Sequence, residues 1–396
     1  MASVETRNPA CSERAPEGTA LYVHLPFCAA KCTYCDFYSV PAEGQDLAGV
    51  LDDVLLEARR RAPRHPRTVF LGGGTPSLYS RADLRRLLDG LDAITGFRSS
   101  AVEVTAECNP ESLDGAKAET FLELGVNRLS VGVQSLRPSV LEFFGRVHST
   151  DQGLRALRAA RSAGVERLSA DLIYSCPGLT SEQWREDLHT VLEVGLEHFS
   201  AYSLTFEEGT PLFRWRAQGK VQEEPEEQQL EQFHATREIG SEHGFEAYEI
   251  SNFARAGERC AHNLAYWANA PYCGIGPSAV SKLGQTRFGS PKSIGKWRAA
   301  IGADQPAAEW DETPDELARL GETWWLGLRT SEGVHPEHAL ATSGASDTGA
   351  AAAASATAVT LCDQGLLERS CDGHYRLTAA GLPLADGVAR QFLSLD

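Results

Sequence analysis

Three cysteines within eight residues constrain this chain more than any other feature. They are Cys28, Cys32 and Cys35, in the segment YVHLPFCAAKCTYCDF. The spacing C-x3-C-x2-C places three thiolates on one loop, which suits a [4Fe–4S] cluster with one iron left for a small-molecule ligand. Structural zinc is the competing interpretation, but such sites use four protein ligands and the sequence has no second C-x2-C pair. A packed loop without metal is the third, although Lys31 and Thr33 make this loop polar.

Length and charge exclude several classes of protein. The chain has 396 residues and a formal net charge of −17, from 37 basic and 54 acidic side chains. A nucleic-acid-binding surface needs clustered positive charge, so we expect no nucleic-acid partner. Apart from the three on the loop, the ten cysteines are scattered, as in the reduced proteins of the cytoplasm. The sequence contains no apolar run of about 18 residues, so we expect a cytoplasmic protein without a transmembrane segment.

Strand-like and helix-like segments alternate between residues 20 and 205. Three similar phrases, ELGVNRLS, SAGVERLS and EVGLEHFS, place Gly125, Gly164 and Gly195 between a helix and a strand, where glycine can end a helix in the left-handed conformation. This pattern predicts an α/β fold, a partial parallel (β/α)6 TIM-like barrel. The predicted strands are Ala20–His24, Thr68–Leu71, Ala101–Ala106, Arg128–Val133, Arg167–Ile173 and His198–Leu204.

The remaining segments divide the chain further. We expect residues 1–18 to be a disordered tail and residues 19–250 to form the barrel. Residues 251–305 lack clear alternation and are expected to cover the mouth of the barrel. Residues 306–396 have a helical pattern followed by GLLE and HYRLT, which predicts a small helical, winged-helix-like domain.

Polar or glycine residues follow five successive predicted strands. The cysteine loop follows the first, the GGGTP loop the second, and Glu107, Gln134 and Asp171 lie at the ends of the next three. Ligands of parallel β/α folds bind at the carboxyl ends of the strands, so these residues predict one shared pocket. For each group a structural alternative stays open, namely a tight turn for the glycines and helix capping or loop bracing for the polar side chains.

The segment His262-Asn263-x-x-Tyr266-Trp267 is a second candidate site. In a helix, His262 and Tyr266 share one face, with Trp267 beside them. A neutral imidazole next to flat rings can ligate haem iron, although most histidines beside aromatic residues are simply packed and hydrogen-bonded.

Taken together, these motifs resemble the radical S-adenosylmethionine (SAM) superfamily, and within it the branch of the oxygen-independent coproporphyrinogen III oxidases and the haem chaperones. The resemblance extends from Ala20 to the C-terminus, whose last part resembles the C-terminal domain of the oxidase. The motifs are YVHLPFCAAKCTYCDF, FLGGGTPS, ECNP, RLSVGVQS, FGRVHS, DLIYSCPGLT, AYSLTFEEGTPL, YEISNFAR, HNLAYW and GLLE with YRLT.

The resemblance implies cofactors and their ligands. Cys28, Cys32 and Cys35 would bind the [4Fe–4S] cluster, and the methionine part of SAM would chelate its free iron. The positions that match the SAM site of the family are Tyr22, Gly73, Gly74, Thr75, Glu107, Gln134, Arg146 and Asp171. The segment Gly274–Ser281, GIGPSAVS, departs from the glycine-rich family pattern and lacks its histidine.

Two features favour the chaperones within this branch. The oxidases resemble C-x3-C-x2-C-x-C, and here the position of the additional cysteine is Phe37. The HNxxYW motif is typical of the chaperones, so His262 is the expected haem-binding or orienting residue. The resemblance therefore implies a chaperone that binds haem and delivers it to an apoprotein, with a homodimer and peripheral membrane association as further options. The alternative is oxidative decarboxylation of coproporphyrinogen III by a 5′-deoxyadenosyl radical.

Overall fold

A computed structural model describes residues 13–303, 305, 307–345 and 348–393. Its strands, numbered in chain order, are β1 Ala20–Leu25, β2 Phe27–Cys28, β3 Val40–Pro41, β4 Thr68–Gly73, β5 Glu103–Cys108, β6 Arg128–Gln134, β7 Arg167–Tyr174, β8 His198–Ser203, β9 Glu246–Ala247, β10 Asn252–Ala254, β11 Tyr272–Ile275, β12 Val280–Leu283, β13 Thr286–Gly289, β14 Trp310–Glu312, β15 Leu367–Arg369 and β16 Tyr375–Leu377.

Helices connect most of these strands. The α-helices are α1 Leu47–Arg61, α2 Arg81–Thr95, α3 Phe97–Ser100, α4 Gly115–Glu123, α5 Pro138–Phe143, α6 Thr150–Ser162, α7 Ser181–Leu192, α8 Pro211–Ala217, α9 Glu226–Glu242, α10 Ala261–Trp267, α11 Ile294–Gly302, α12 Glu316–Gly327, α13 Pro336–Ser343, α14 Thr348–Asp363 and α15 Ala385–Arg390. Short 3-10 turns are Pro76–Leu78, Pro110–Ser112 and Leu382–Leu384.

One twelve-stranded sheet forms the centre of the molecule. Its order is β14-β13-β12-β11-β1-β4-β5-β6-β7-β8-β10-β9, so it has two free edges and does not close. The six predicted strands, β1 and β4 to β8, are neighbours and parallel, and β11 pairs parallel with β1. The predicted α/β fold with six parallel units is confirmed, and the antiparallel strands at both edges are additions that the pattern did not indicate.

Local sequence signals explain where the helices begin and end. The side chains of Ser149 and Thr180 each accept a hydrogen bond from the third residue of the following helix, and Gln152 and Gln183 complete two capping boxes. The glycines of the three repeated phrases adopt φ values of 85–95° directly after α4, α6 and α7. Glycine is the residue that reaches this left-handed region without steric cost, so the predicted helix stops are confirmed.

The apolar residues form two large cores. The first fills the space between the sheet and its helices and includes buried side chains from Ala15 to Ala308. The second lies among α12 to α15 and the β15–β16 hairpin, where the rings of Trp324 and Phe392 stack at 4.7 Å. The helix, hairpin and helix that GLLE and HYRLT predicted are α14, β15–β16 and α15, so this C-terminal domain has a core of its own.

Residues 1–12 of the predicted tail lie outside the described residues. In residues 13–18 the structure shows contacts of Arg14 and Ala15 with the end of α1, while the other four residues are exposed. Ala15 is buried, its amide donates to the carbonyl of Arg61 at 2.9 Å, and the Arg14 guanidinium donates to the Ala62 carbonyl. The end of α1 leaves carbonyl groups without helical partners, and these contacts satisfy two of them, so Arg14 and Ala15 pack against the end of the helix.

Within the part of the chain that the structure describes, no helix combines the length and the apolar character needed to cross a bilayer.

Candidate functional site

The cysteine loop leaves the carboxyl end of β1 and is closed by the short parallel pair β2 and β3. The amides of Val40 and Ala42 donate to the carbonyls of Pro26 and Cys28, each at 2.9 Å. Thr33 ties the middle of the loop to the end of α5, through its amide to Phe144 and its hydroxyl to Phe143. The loop is therefore held in place at its stem and at its tip.

The three cysteine side chains are free and half-buried. Burial, followed by the nearby Cys32, raises the pKa of Cys35 to about 11, and burial also raises the pKa of Cys28. Within the described residues no set of three or more histidine, cysteine or acidic side chains converges on a single metal ion. Three neighbouring free thiols on one loop match the three protein ligands of a [4Fe–4S] cluster with one open iron, whereas structural zinc takes four protein ligands.

The GGGTP loop packs against the stem of the cysteine loop. The amides of Gly74 and Thr75 donate to the carbonyls of Leu25 and Phe27, both at 2.8 Å. A Cβ atom on Gly74 would lie 2.6 Å from these two carbonyl oxygens, and one on Gly73, whose φ is 99°, would lie 2.4 Å from the ring of His24. These glycines therefore let the GGGTP loop lie close to the stem of the cysteine loop and to the ring of His24.

A chain of hydrogen bonds connects two of the cysteines. The Thr75 hydroxyl donates to Cys28 Sγ at 3.5 Å and accepts from Asn109 Nδ2 at 2.9 Å. Arg146 donates to Asn109 Oδ1 at 2.7 Å and to Cys32 Sγ at 3.5 Å. Arg146, predicted at the SAM site, therefore touches a cysteine, and Asn109 was missed although it lies in the ECNP motif.

The carboxyl groups of Glu107, on β5, and Asp171, on β7, are half-buried and lie close enough to interact electrostatically. Glu107 accepts from the amide of Gly73 at 3.1 Å, and Asp171 accepts from the hydroxyls of Ser130 and Ser200 at 2.9 and 2.8 Å. Burial, and next the charge of Asp171, raises the pKa of Glu107 to about 8, and burial also raises the pKa of Asp171. Two carboxyl groups with raised pKa values favour a cationic ligand, which would lower both values.

The other two predicted positions lie beside these carboxyl groups. Burial, and next the charge of Glu107, raises the pKa of Tyr22, whose hydroxyl hydrogen-bonds to His24 Nδ1 at 3.1 Å. Gln134 has a φ of 66° at an irregularity in the pairing of β6 with β7, and its side chain lies over Gly132. Gly73, Glu107 and Gln134 thus lie at the carboxyl ends of their strands, whereas Tyr22 and Asp171 lie within β1 and β7.

We expect the Glu107→Gln variant to lose part of the pH dependence of stability. The pKa of glutamate in the unfolded chain is about 4.3. Between this value and about 8 the folded state keeps a proton that the unfolded state releases, so the free energy of unfolding falls as pH rises. The slope from one such group is at most about 1.4 kcal/mol per pH unit, and the variant should lack it.

Urea unfolding of the metal-free reduced protein at pH 5, 6, 7 and 8 measures this slope. Glu123→Gln is the matched control, because Glu123 forms an exposed pair with Arg85. Equal slopes for the wild type and Glu107→Gln would contradict a protonated Glu107.

The HNxxYW segment forms α10 and lies at the opposite end of the sheet. The amides of Ala261 and His262 donate to the carboxylate of Glu103, the first residue of β5, at 3.0 and 2.9 Å. The expectation that residues 251–305 cover the mouth beside the cysteines is wrong for this helix, because a buried carboxylate anchors it at the amino-terminal edge. Only the later part of the segment reaches the mouth, where Gly276 touches the backbone of His24.

His262 is buried, with 1% of its surface exposed. Its Nδ1 hydrogen-bonds to the Thr68 hydroxyl at 2.8 Å and its Nε2 to the Tyr266 hydroxyl at 3.0 Å, while its ring stacks on Phe70 at 5.1 Å. Burial lowers its pKa to about 4, so the ring is neutral at pH 7. Both ring nitrogens are engaged, and the side chain fixes the orientation of α10 in this conformation.

Comparison with known families and structures identifies relatives of this chain. The Radical SAM superfamily model matches residues 22–191, which contain the cysteine loop and the four following parallel-strand units up to α7. Coproporphyrinogen III oxidase (HemN) from Escherichia coli superposes with a TM-score of 0.81 over 97% of this chain and 92% of that chain. At 21% sequence identity this similarity shows a common fold alone.

Two curated relatives are more similar in sequence. Heme chaperone HemW of Bacillus subtilis is 34% identical over 318 residues, 79% of this chain and 84% of the relative. Heme chaperone HemW of Mycobacterium tuberculosis is 33% identical over 385 residues, 94% of each chain. The chain therefore belongs to the radical SAM superfamily, and within it to the HemW family.

Proposed function

We propose that this chain binds haem and delivers it to an apoprotein, on a scaffold that carries a [4Fe–4S] cluster and SAM. The observation that supports the proposal is the HNxxYW helix, held at the end of the sheet opposite the cysteines in a chain whose relatives are named haem chaperones. Phe37, in place of the additional cysteine of the oxidases, supports the same choice; its side chain is 64% exposed.

Cys28, Cys32 and Cys35 are the proposed ligands of the cluster. When bound, the cluster supplies a one-electron redox centre and an iron site open to the amino-acid part of SAM. The Thr75 hydroxyl and the Arg146 guanidinium donate hydrogen bonds to two of the sulfur atoms. Such donors stabilise thiolates, and the positive charge of Arg146 offsets part of the negative charge that the thiolates bring.

Glu107 and Asp171 are the proposed acceptors for the polar groups of SAM. Glu107 bonds to the GGGTP loop through the Gly73 amide, and loss of hydration is the main cause of the raised pKa values of both carboxyl groups. The ammonium and sulfonium groups of SAM would bring positive charge into the pocket. Tyr22, Gly73, Gly74 and Gln134 are the proposed walls of this pocket.

His262 is the proposed orienting residue of the haem site. Its hydrogen bond to Thr68 holds α10 against β4, and its hydrogen bond to Tyr266 lies within the helix. The other face of α10 presents Leu264 and Trp267 to the C-terminal domain. Haem binding is then sensitive to His262 without a bond from His262 to iron.

A haemin titration tests the proposal. We expect the reconstituted wild-type protein to bind haemin, with a Soret band in the difference spectrum against the cluster-loaded protein. The His262→Ala variant should bind at least about tenfold more weakly, because α10 loses two side-chain hydrogen bonds, each worth roughly 1 kcal/mol. His189→Ala is the control, since His189 pairs with His243 on α7 and α9, outside this region. The absence of haemin binding by the wild type would contradict the proposal.

A further inference from the structure

A groove separates α10 from the C-terminal domain. Leu264 and Trp267 of α10 form one wall, and Val334, Ala339 and the residues around them form the other. Its volume is about 220 Å³, with a wider opening to solvent. Small-molecule sites commonly measure about 300–1,000 Å³, so a large flat ligand would bury one face or edge here and leave the rest exposed.

Three of the eleven histidines of the chain line this groove. His335 precedes α13, His338 lies one turn later, and His374 precedes β16. The rings of His335 and His374 lie 5.2 Å apart at an angle of 66°. Among the residues that the structure describes, these histidines do not form part of a three-ligand metal site. A single histidine ligand suits an iron whose other positions a porphyrin fills.

His374 lies beside a carboxyl group. Its Nδ1 is 3.2 Å from Asp372 Oδ1. The hydroxyl of Ser370 donates to Asp372 Oδ1 and holds this carboxyl group in place. When Nδ1 donates to such a carboxylate on ligand binding, Nε2 is the nitrogen left for a metal, and the imidazole becomes a more basic ligand.

Trp267 supplies a flat wall and an unused donor. Its Nε1 is buried without a hydrogen-bond partner among the described residues, and the guanidinium of Arg329 lies 5.1 Å from its ring centre. At the rim, Arg259 pairs with Glu332 at 2.8 Å. A planar, mostly apolar ligand with a hydrogen-bond acceptor at its edge matches this combination of an aromatic face and an N–H group without a partner.

We propose that haem binds in this groove, with His374 Nε2 as the axial ligand of the iron and Trp267 against the porphyrin face. This inference rests on the proposed function and assigns its site. It places the ligand on the face of α10 that points away from His262, whose two nitrogens are already hydrogen-bonded. A groove open to solvent lets a partner protein approach the bound haem, as delivery requires.

The test compares axial ligation in variants of the full-length, cluster-loaded protein. Haemin is titrated into the wild type, His374→Gly, Asp372→Asn, Trp267→Leu and the control His189→Ala, and the Soret difference band and affinity are recorded. We expect His374→Gly to shift the Soret band and to weaken binding at least about tenfold. Loss of an orienting carboxylate commonly lowers metal affinity about 10- to 100-fold, so Asp372→Asn should also bind more weakly.

Added imidazole keeps the test decisive if His374→Gly is less stable than the wild type. Imidazole can occupy the space of the missing ring, so it should restore the wild-type Soret position in His374→Gly and leave the control unchanged. An unchanged Soret band and affinity in His374→Gly would overturn this inference alone, while the proposed function would stand if the wild type binds haemin. A wild type that binds no haemin would overturn both.

Discussion

Replacing Cys32 with alanine is expected to abolish incorporation of the cluster. Two thiolates do not retain a [4Fe–4S] cubane that three hold, and Cys32 also receives the hydrogen bond of Arg146. After anaerobic reconstitution with iron and sulfide, the wild type should contain about four irons per chain and the variant close to none. Circular dichroism should remain unchanged, because Cys32 is only half-buried on a loop that Thr33 anchors by itself.

Cys108→Ala is the matched control for this experiment. Cys108 ends β5 beside the same pocket, but it is buried and its thiol lies 3.8 Å from the carbonyl of Ala106. This variant should keep its iron. Full iron content in Cys32→Ala, or equal loss in both variants, would contradict the assignment of the three loop cysteines as the ligands.

The carboxyl edge of the sheet could be predicted from the sequence because parallel strands place their ends together. Glu107 and Asp171 lie on strands separated by more than 60 residues, yet the order of the strands alone brings them to one pocket. Side-chain partners were harder to predict. Asn109 links Thr75 to Arg146 through geometry that no spacing in the sequence indicates.

The position of α10 could not be predicted from the order of the strands. Glu103, which anchors α10, is the first residue of β5. The rule that ligands bind at the carboxyl ends of the strands gives no reason to select a residue at the opposite end. The hydrogen bond from the His262 amide to Glu103 spans 159 residues of sequence, so periodicity could not reveal it. Burial of a carboxylate at this position is decided by the long-range partners that neutralise it, and those appear only in the folded chain.

A series of ring contacts and hydrogen bonds connects the two ends of the parallel strands. His262 stacks on Phe70, the ring of Phe70 lies 6.1 Å from that of Tyr22, and the Tyr22 hydroxyl bonds to His24. The His24 ring then hydrogen-bonds to the carbonyl of Tyr38, at the end of the cysteine loop. These contacts link the HNxxYW helix to the proposed cluster site, although the two proposed sites lie at opposite ends of the strands.

The Glu103→Gln variant should be the most strongly destabilised of the substitutions considered, by about 3–5 kcal/mol, because it leaves buried Arg128 without its charged neighbour. Glu103 itself has no exposed surface and also accepts from Arg167 at 2.9 Å. Burial raises the pKa of Glu103, but Arg128 and the amides of His262 and Ala261 outweigh it, so the net pKa is lowered. Its stabilising contribution is thus complete above about pH 4.3 and is lost as pH falls further.

Urea unfolding at pH 7 and pH 3.5 checks both statements, and Glu258→Gln is the control. Glu258 accepts from the same Arg167 at 2.9 Å but is 31% exposed, so its loss should change stability by less than about 1 kcal/mol. Equal losses of stability in the two variants would contradict the prediction that the buried Glu103 contributes more stability than the exposed Glu258.

Because Glu103 also holds the first turn of α10, its variant should weaken haemin binding as well, whereas Glu258→Gln leaves the helix anchored. Stability and haem affinity that fall together only in Glu103→Gln would tie the buried carboxylate to the proposed function.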